Sequence, residues 1–170
     1  MIQKKGTTVA MIGDSQMGWR EGKYTRKWLS EELKVHFLGN QNDIFGYPYF
    51  FSNNYSSQNL LEDNLYFVDA KIIILYLGLR ENKESFYSNL RAFVDLNKGK
   101  EIILIQYSTD ENSLEKMINT NANTIHSLDI SKYDKTKYYF SDGKHLNYEG
   151  HKQLAKDLIL KLNSIGVSKN

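Results

Sequence analysis

"KIIILYL", residues 71–77, is a near-continuous apolar run rich in β-branched residues. It has the length of a strand, and the lack of polar alternation implies cover on both faces, as in a parallel sheet. "EIILIQY", residues 101–107, repeats the pattern. On either side, Thr8–Ile12, Lys34–Leu38 and, more weakly, Thr124–Asp129 are further strand candidates. Amphipathic stretches lie between them. "KYTRKWLSEELK" places Tyr24, Trp28, Leu29 and Leu33 on one side, and "KESFYSNLRAFVDLN" groups Phe86, Leu90, Phe93 and Val94. "ENSLEKMINTNA" is a shorter case, and a last helix from Asn147 to about Ser164 carries Leu154, Ala155, Leu158, Ile159 and Leu162 at helical spacing. This alternation predicts an α/β fold, a doubly wound sandwich of about five parallel strands. Gly39–Ser57 reads as one long irregular segment, which a compact domain rarely keeps without a use.

At 170 residues the chain suits one domain spanning 1–170. It has no cysteine, so neither disulfides nor thiolate metal sites contribute. The 22 basic and 20 acidic residues give a charge of +2, too even to argue for nucleic acid or an anionic membrane surface as partner. "AKIIILYLGL" is far short of the ~20 residues of a membrane-spanning helix. Nothing after "MIQKKGTT" forms a leader's apolar core, because Asp14 interrupts the run. The expectation is a soluble, cytoplasmic protein; a leader already removed would leave the same sequence.

Ligands of open α/β sheets sit beyond the carboxyl ends of the strands. Ser15 stands at such an end, as do Gly39, Gly78 and Ser108. A serine hydroxyl needs a base to become a nucleophile, and the usual base is a histidine oriented by a carboxylate. Of four histidines, His36 and His126 sit inside strand candidates and read as structural or surface residues. His145 and His151 lie in "SDGKHLNYEGHKQLA". A turn at Asp142-Gly143 lets the carboxylate fold back onto the Nδ1–H of His145, leaving Nε2 outward as a base. The competing reading is an ordinary Asp-Gly turn before a helix that Asn147 caps. His151 reads as a structural helix residue.

"GDSQ" at 13–16 together with "DGKHLNYEGH" at 142–151 resembles the GDSL or SGNH hydrolases, and the resemblance spans nearly the whole chain. It implies a flavodoxin-like, three-layer α/β/α sandwich and an esterase or acyl hydrolase. Carried over position by position, it implies Ser15 as nucleophile, His145 as general base and Asp142 as its orienting partner. In that family the oxyanion is held by the nucleophile's own N–H, a glycine N–H and an asparagine side chain. "FLGNQNDIFGYPYFFSNNYSSQNLL" resembles the glycine block, with Asn54 in the glycine's place and Gly39 ending the second strand. If that alignment is shifted, Gly39 or Gly46 supplies the donor. "LYLGLREN" resembles the asparagine block: Gly78 and Glu81 fit, Arg80 stands where the asparagine belongs, and Asn82 comes two residues late. Three readings compete. Arg80 donates, Asn82 reaches in, or Arg80 pairs with Glu81 or Glu84 and the site is impaired.

Asp14, Gln16, Tyr55 and Gly78 are candidates for the substrate pocket, with Asp14 also ordering the nucleophile turn. The aromatic "YPYFF" at 47–51 either walls an acyl or sugar pocket or packs its loop onto the domain. Trp28 reads as core, and Trp19 as either. No metal-ligand spacing, Gly-rich dinucleotide fingerprint or phosphate-binding loop occurs, so neither metal nor cofactor is expected. The sequence thus points to a serine ester hydrolase acting through an acyl-enzyme on short-chain esters, with acetyl groups on carbohydrate as the family's suggestion. An O-acyltransferase with the same triad and a catalytically impaired carbohydrate- or partner-binding domain are the alternatives.

Overall fold

The two apolar runs become the centre of the sheet. The computed structural model describes residues 6–18, 20–51, 56–63, 69–77, 82–107 and 125–169. Its strands are β1 (Thr7–Gly13), β2 (Val35–Leu38), β3 (Gln41–Asn42), β4 (Pro48–Phe51), β5 (Ile72–Tyr76), β6 (Glu101–Gln106) and β7 (Ile125–Asp129). Parallel pairing runs β2–β1–β5–β6–β7, with Val9 opposite Phe37 and Ile72, and Ile73 opposite Ile102. This is the flavodoxin-like strand order, with β1 next to the centre.

Alternate residues of the inner strands feed two cores. Val9, Met11, Ile74, Tyr76, Ile103 and Ile105 face one side, packed with Leu29, Leu154 and Leu158. These last come from α2 (Gly22–Glu32) and α6 (Tyr148–Ser164). Ala10, Ile12, Ile73, Leu75, Ile102 and Leu104 face the other, packed with Leu60, Leu90 and Phe93. Those belong to α3 (Asn59–Glu62) and α4 (Lys83–Leu96). The result is a three-layer α/β/α sandwich. Two short helices, α1 (Ser15–Gly18) and α5 (Lys135–Tyr138), complete the described elements. The helix expected over 111–122 lies outside the described residues. No helix of the described residues is long and apolar enough to cross a membrane.

Within Gly39–Ser57, residues 41–51 depart from the irregular course the sequence suggests. β3 and β4 form an antiparallel hairpin, and β4 joins β1 through Ile12 opposite Phe50 and Gly13 opposite Phe51. β2 pairs only as far as Ala10 opposite Leu38, so β4 covers the rest of the same edge. Asp43 Oδ1 accepts the N–H groups of Phe45 (2.9 Å) and Tyr47 (3.1 Å), holding the hairpin turn by a side chain. Such a turn carries little periodicity for a sequence reading to detect. The aromatic run within it packs inward in part: Tyr49 is buried beneath the Arg26 guanidinium, 4.0 Å from its ring centre.

Arg26 itself is buried, with Nε donating to Asp43 Oδ2 at 2.7 Å and Nη1 to Met17 O at 3.2 Å. One side chain therefore joins α2, the β3–β4 turn and the short helix that begins at Ser15. Desolvation lowers the guanidinium's pKa, while Asp43 opposes that shift. Removing one partner of a buried pair strands the other charge at a cost of about 3–5 kcal/mol. Asp43→Ala is therefore expected to lose about that much stability in urea titration, without change in the parallel sheet's circular dichroism under native conditions.

Candidate active site

β1 stops where its backbone must turn against β5. A methyl group at Gly13 would lie 2.6 Å from Met17 Cβ and 2.7 Å from Tyr76 O, so only glycine fits. Asp14 then organises the turn. Its N–H donates to Tyr76 O at 3.4 Å, its carbonyl accepts from Met17 N at 2.9 Å, and its Oδ1 accepts from Gln16 N at 2.9 Å. The partly buried Ser15 is thereby presented at the carboxyl end of the sheet.

The second half of the site is a loop between α5 and α6. Tyr139 and Leu146 bridge its ends, Phe140 N donates to His145 O at 2.9 Å, and Gly143 takes a left-handed φ of 62° in the turn. Asp142 Oδ1 accepts the N–H groups of Lys144 (2.9 Å) and His145 (3.0 Å). Its Oδ2 lies 2.7 Å from His145 Nδ1. Asn147 caps α6 through Gly150 N at 2.9 Å and donates to Lys137 O and Tyr139 O. A methyl group at Gly150 would come within 2.1 Å of Tyr138 O, so the helix needs glycine there to sit against the loop.

The two halves meet at Ser15 Oγ and His145 Nε2, 3.0 Å apart across 130 positions of chain. Desolvation raises the Asp142 carboxyl's pKa, but the His145 and Lys144 N–H groups and the imidazole outweigh it and hold the value at about 2. Asp142 is thus ionised at any ordinary pH. An ionised carboxylate only accepts, so Nδ1 carries the proton and Nε2 is left to accept from the Ser15 hydroxyl. Such an array can take a proton from serine and return it to a leaving group.

Other candidates fall in different places. Gln16 is buried, and its Nε2 donates to Lys144 O at 2.9 Å. Gly39 lies where β2 gives way to β4, and a methyl group there would sit 2.1 Å from Tyr49 N. Asn82 caps α4, its Oδ1 accepting from Glu84 N at 2.9 Å and Ser85 N at 3.5 Å. Gly46 adopts a φ of 85° in the hairpin turn. Asn54, Tyr55, Gly78 and Arg80, with Trp19, lie outside the described residues. His151 is buried against Thr25 Oγ1, 2.9 Å from Nδ1, and His126 pairs with Glu101 at 2.7 Å. Tyr76 and Tyr107, read in the sequence as strand residues, stack at 5.2 Å at the ends of β5 and beyond β6. Desolvation pushes both phenols well above their ordinary pKa, and the Asp14 charge adds to it. Apolar patterning carries no sign that their hydroxyls would lie inside.

No family model matches this sequence, and no curated protein matches it. Solved structures do share its fold. A family 3 carbohydrate esterase of Clostridium thermocellum is similar at a TM-score of 0.75 and 14% identity, covering 95% of this chain and 97% of that one. The C-terminal catalytic domain of Streptococcus pneumoniae peptidoglycan O-acetyltransferase A, carrying a methylsulfonyl adduct, is similar at 0.63 and 15%, covering 97% and 98%. Both are SGNH-type folds, which agrees with the resemblance carried by the terminal motifs.

Burial beside Arg26, His145 and Lys23 has a consequence for acid stability. Desolvation first, then the charge of Arg26, lower the His151 pKa from 6.5 to about 3. Below about 6.5 the unfolded chain binds a proton that the folded one refuses, so stability is full above that pH and falls towards pH 3. The slope from one such group is up to about 1.4 kcal/mol per pH unit. Urea titrations of His151→Gln between pH 6.5 and 4 are expected to show a shallower decline than the parent chain.

Proposed function

We propose that this chain, whose fold is that of an esterase and an acyl transferase, is a serine ester hydrolase acting on short acyl esters of carbohydrate. The observation that carries the reading is the continuous contact from Ser15 Oγ through the His145 imidazole to Asp142, at 3.0 and 2.7 Å. Ser15 Oγ attacks the ester carbonyl carbon as His145 Nε2 takes its proton. The tetrahedral oxyanion collapses, and Nε2 gives the proton to the departing alcohol. Water, deprotonated by the same nitrogen, then attacks the acyl-serine, and Nε2 returns that proton to Ser15 Oγ as the acyl bond breaks and the acid leaves. Asp142 keeps the imidazole in the working tautomer and stabilises the imidazolium between steps.

For the oxyanion we propose the Ser15 N–H, a backbone N–H from Asn54 or Gly39, and the Arg80 guanidinium. Arg80 is favoured over Asn82 because it stands at the position of the family's asparagine, whereas the Asn82 side chain is fixed at the start of α4, where its Oδ1 accepts from Glu84 N and Ser85 N. A guanidinium also reaches further than an asparagine amide and brings a full charge. An acetyl group on a sugar is the favoured substrate. The name of one structural neighbour, a carbohydrate esterase, and the acetyl transfer in the name of the other support it. The second neighbour also favours a second reading, in which an alcohol of a glycan replaces water in the deacylation step. Asp14, Tyr55 and Gly78 remain assigned to the surroundings of the acyl group, whereas the Gln16 side chain is buried and turned to the Lys144 carbonyl.

Release of acetate from an aryl acetate and from acetylated sugars tests the reading. Ser15→Ala and His145→Ala are expected to lower kcat by at least about 10³-fold, and Asp142→Asn by about 10³–10⁴-fold, with the fold retained. Turnover that survives in Ser15→Ala overturns it. Added polyol that is acetylated in preference to hydrolysis selects the transferase. Arg80→Ala is expected to lower kcat by about 10²–10³-fold. Asn82→Ala is expected to leave kcat near the parent value and to cost about 1 kcal/mol of stability through the lost cap. The reverse pattern moves the oxyanion role to Asn82.

A further inference from the structure

The residue after Ser15 sends a long polar side chain into the interior. Gln16 is 1% exposed, and its Nε2 donates to the carbonyl of Lys144 at 2.9 Å, a contact 128 positions along the chain. That carbonyl belongs to the peptide unit joining Lys144 to His145. The N–H of the same unit donates to Asp142 Oδ1 at 3.0 Å. The peptide plane is therefore held from both sides, and the His145 Cα is fixed at its end. The contacts form a ring: Ser15 to His145 at 3.0 Å, His145 to Asp142 at 2.7 Å, Asp142 to the 144–145 peptide, and that peptide to Gln16. Gln16 is joined covalently to Ser15, which closes the circuit. Its own N–H is pinned by Asp14 Oδ1 at 2.9 Å, so the base of its side chain is fixed as well.

We infer that Gln16 is a positioning residue that sets the Ser15–His145 geometry by holding the Lys144 carbonyl; its effect on rate rests on the serine-hydrolase reading, whereas the contact itself does not. A carbonyl accepts and cannot donate, so the amide nitrogen must face it, which fixes how the Gln16 amide is turned. Donation to the carbonyl also polarises the 144–145 peptide, making the His145 N–H a better donor to Asp142. An apolar side chain in this position leaves the Lys144 carbonyl without this donor. The peptide then turns to find another partner, and the imidazole turns with it. Displacements of about 1 Å at a reacting pair cost on the order of 10²-fold in rate.

Two variants test this. Gln16→Met keeps the length of the side chain and removes the N–H, and Gln16→Leu removes it in a shorter apolar side chain. Each is measured for kcat and KM on an aryl acetate. Each is also examined for the low-field proton resonance of His145 Nδ1–H, assigned by its loss in Asp142→Asn and read without substrate. The expected result is a kcat lower by about 10- to 100-fold with KM within about twofold. The resonance should be shifted or broadened while the protein still unfolds in one cooperative transition. Should Gln16→Met fail to fold, Gln16→Leu carries the test by the same readouts. Parent values of kcat and an unaltered resonance in the folded variants overturn the inference. A parent chain that shows the resonance but turns over no ester defeats the hydrolase reading alone, and the resonance in the variants then decides the role of Gln16.

Discussion

A single short contact, Ser15 Oγ to His145 Nε2 at 3.0 Å, constrains both ends of this chain at once. It requires β1 to end beside the middle of the sheet and the last loop to arrive over that end before α6 begins. Right-handed crossovers with helices on both faces bring segments distant in sequence to the carboxyl edge of a parallel sheet. The position of β1 between β2 and β5 supplies the rigid floor, because its residues from Val9 to Ile12 are fully buried. Gly13 then permits a turn so tight that no side chain fits against Met17 and Tyr76. The Ser15 side chain is thus presented by backbone geometry before it meets His145.

The histidine is held in a different way. Each distinctive residue of "DGKHLNYEGH" has a mechanical role. Asp142 accepts two backbone N–H groups and the imidazole, and Gly143 supplies the left-handed turn. Leu146 is buried beneath the loop, Asn147 caps the helix, Gly150 lets the helix approach Tyr138, and His151 anchors to Thr25. The Asp142 carboxylate is exposed enough to be hydrated, yet the donors around it keep its pKa at about 2. Ionisation of this group is therefore settled before any ligand arrives.

The fold class was legible because Lys71–Leu77 and Glu101–Tyr107 have the unbroken apolar character that a strand covered on both faces demands. The triad candidates were legible because a turn and a cap must be written in particular residue types, and Asp142, Gly143 and Asn147 are those types. β3 and β4 were not, since their pairing is short and Asp43 closes their turn with a side chain. The burial of Arg26 was equally hidden: nothing local to "KYTRKWLSEELK" reveals that a carboxylate 17 positions away will meet it. Gln16 stands between these cases. Its polar character after the serine was visible, but its partner, a backbone carbonyl on the other end of the chain, leaves no mark on composition or spacing. The proposed oxyanion donors Asn54 and Arg80 lie outside the described residues, and residue type alone does not place them.

Whether the imidazole activates the serine can be read from reaction with an aryl phosphonate, followed by intact-mass measurement and peptide mapping. A hydroxyl activated by the neighbouring His145 gives one covalent adduct, located on Ser15 and absent from His145→Ala. An unmodified chain, or an adduct spread over other serines at the same rate in both proteins, contradicts the activated-serine reading.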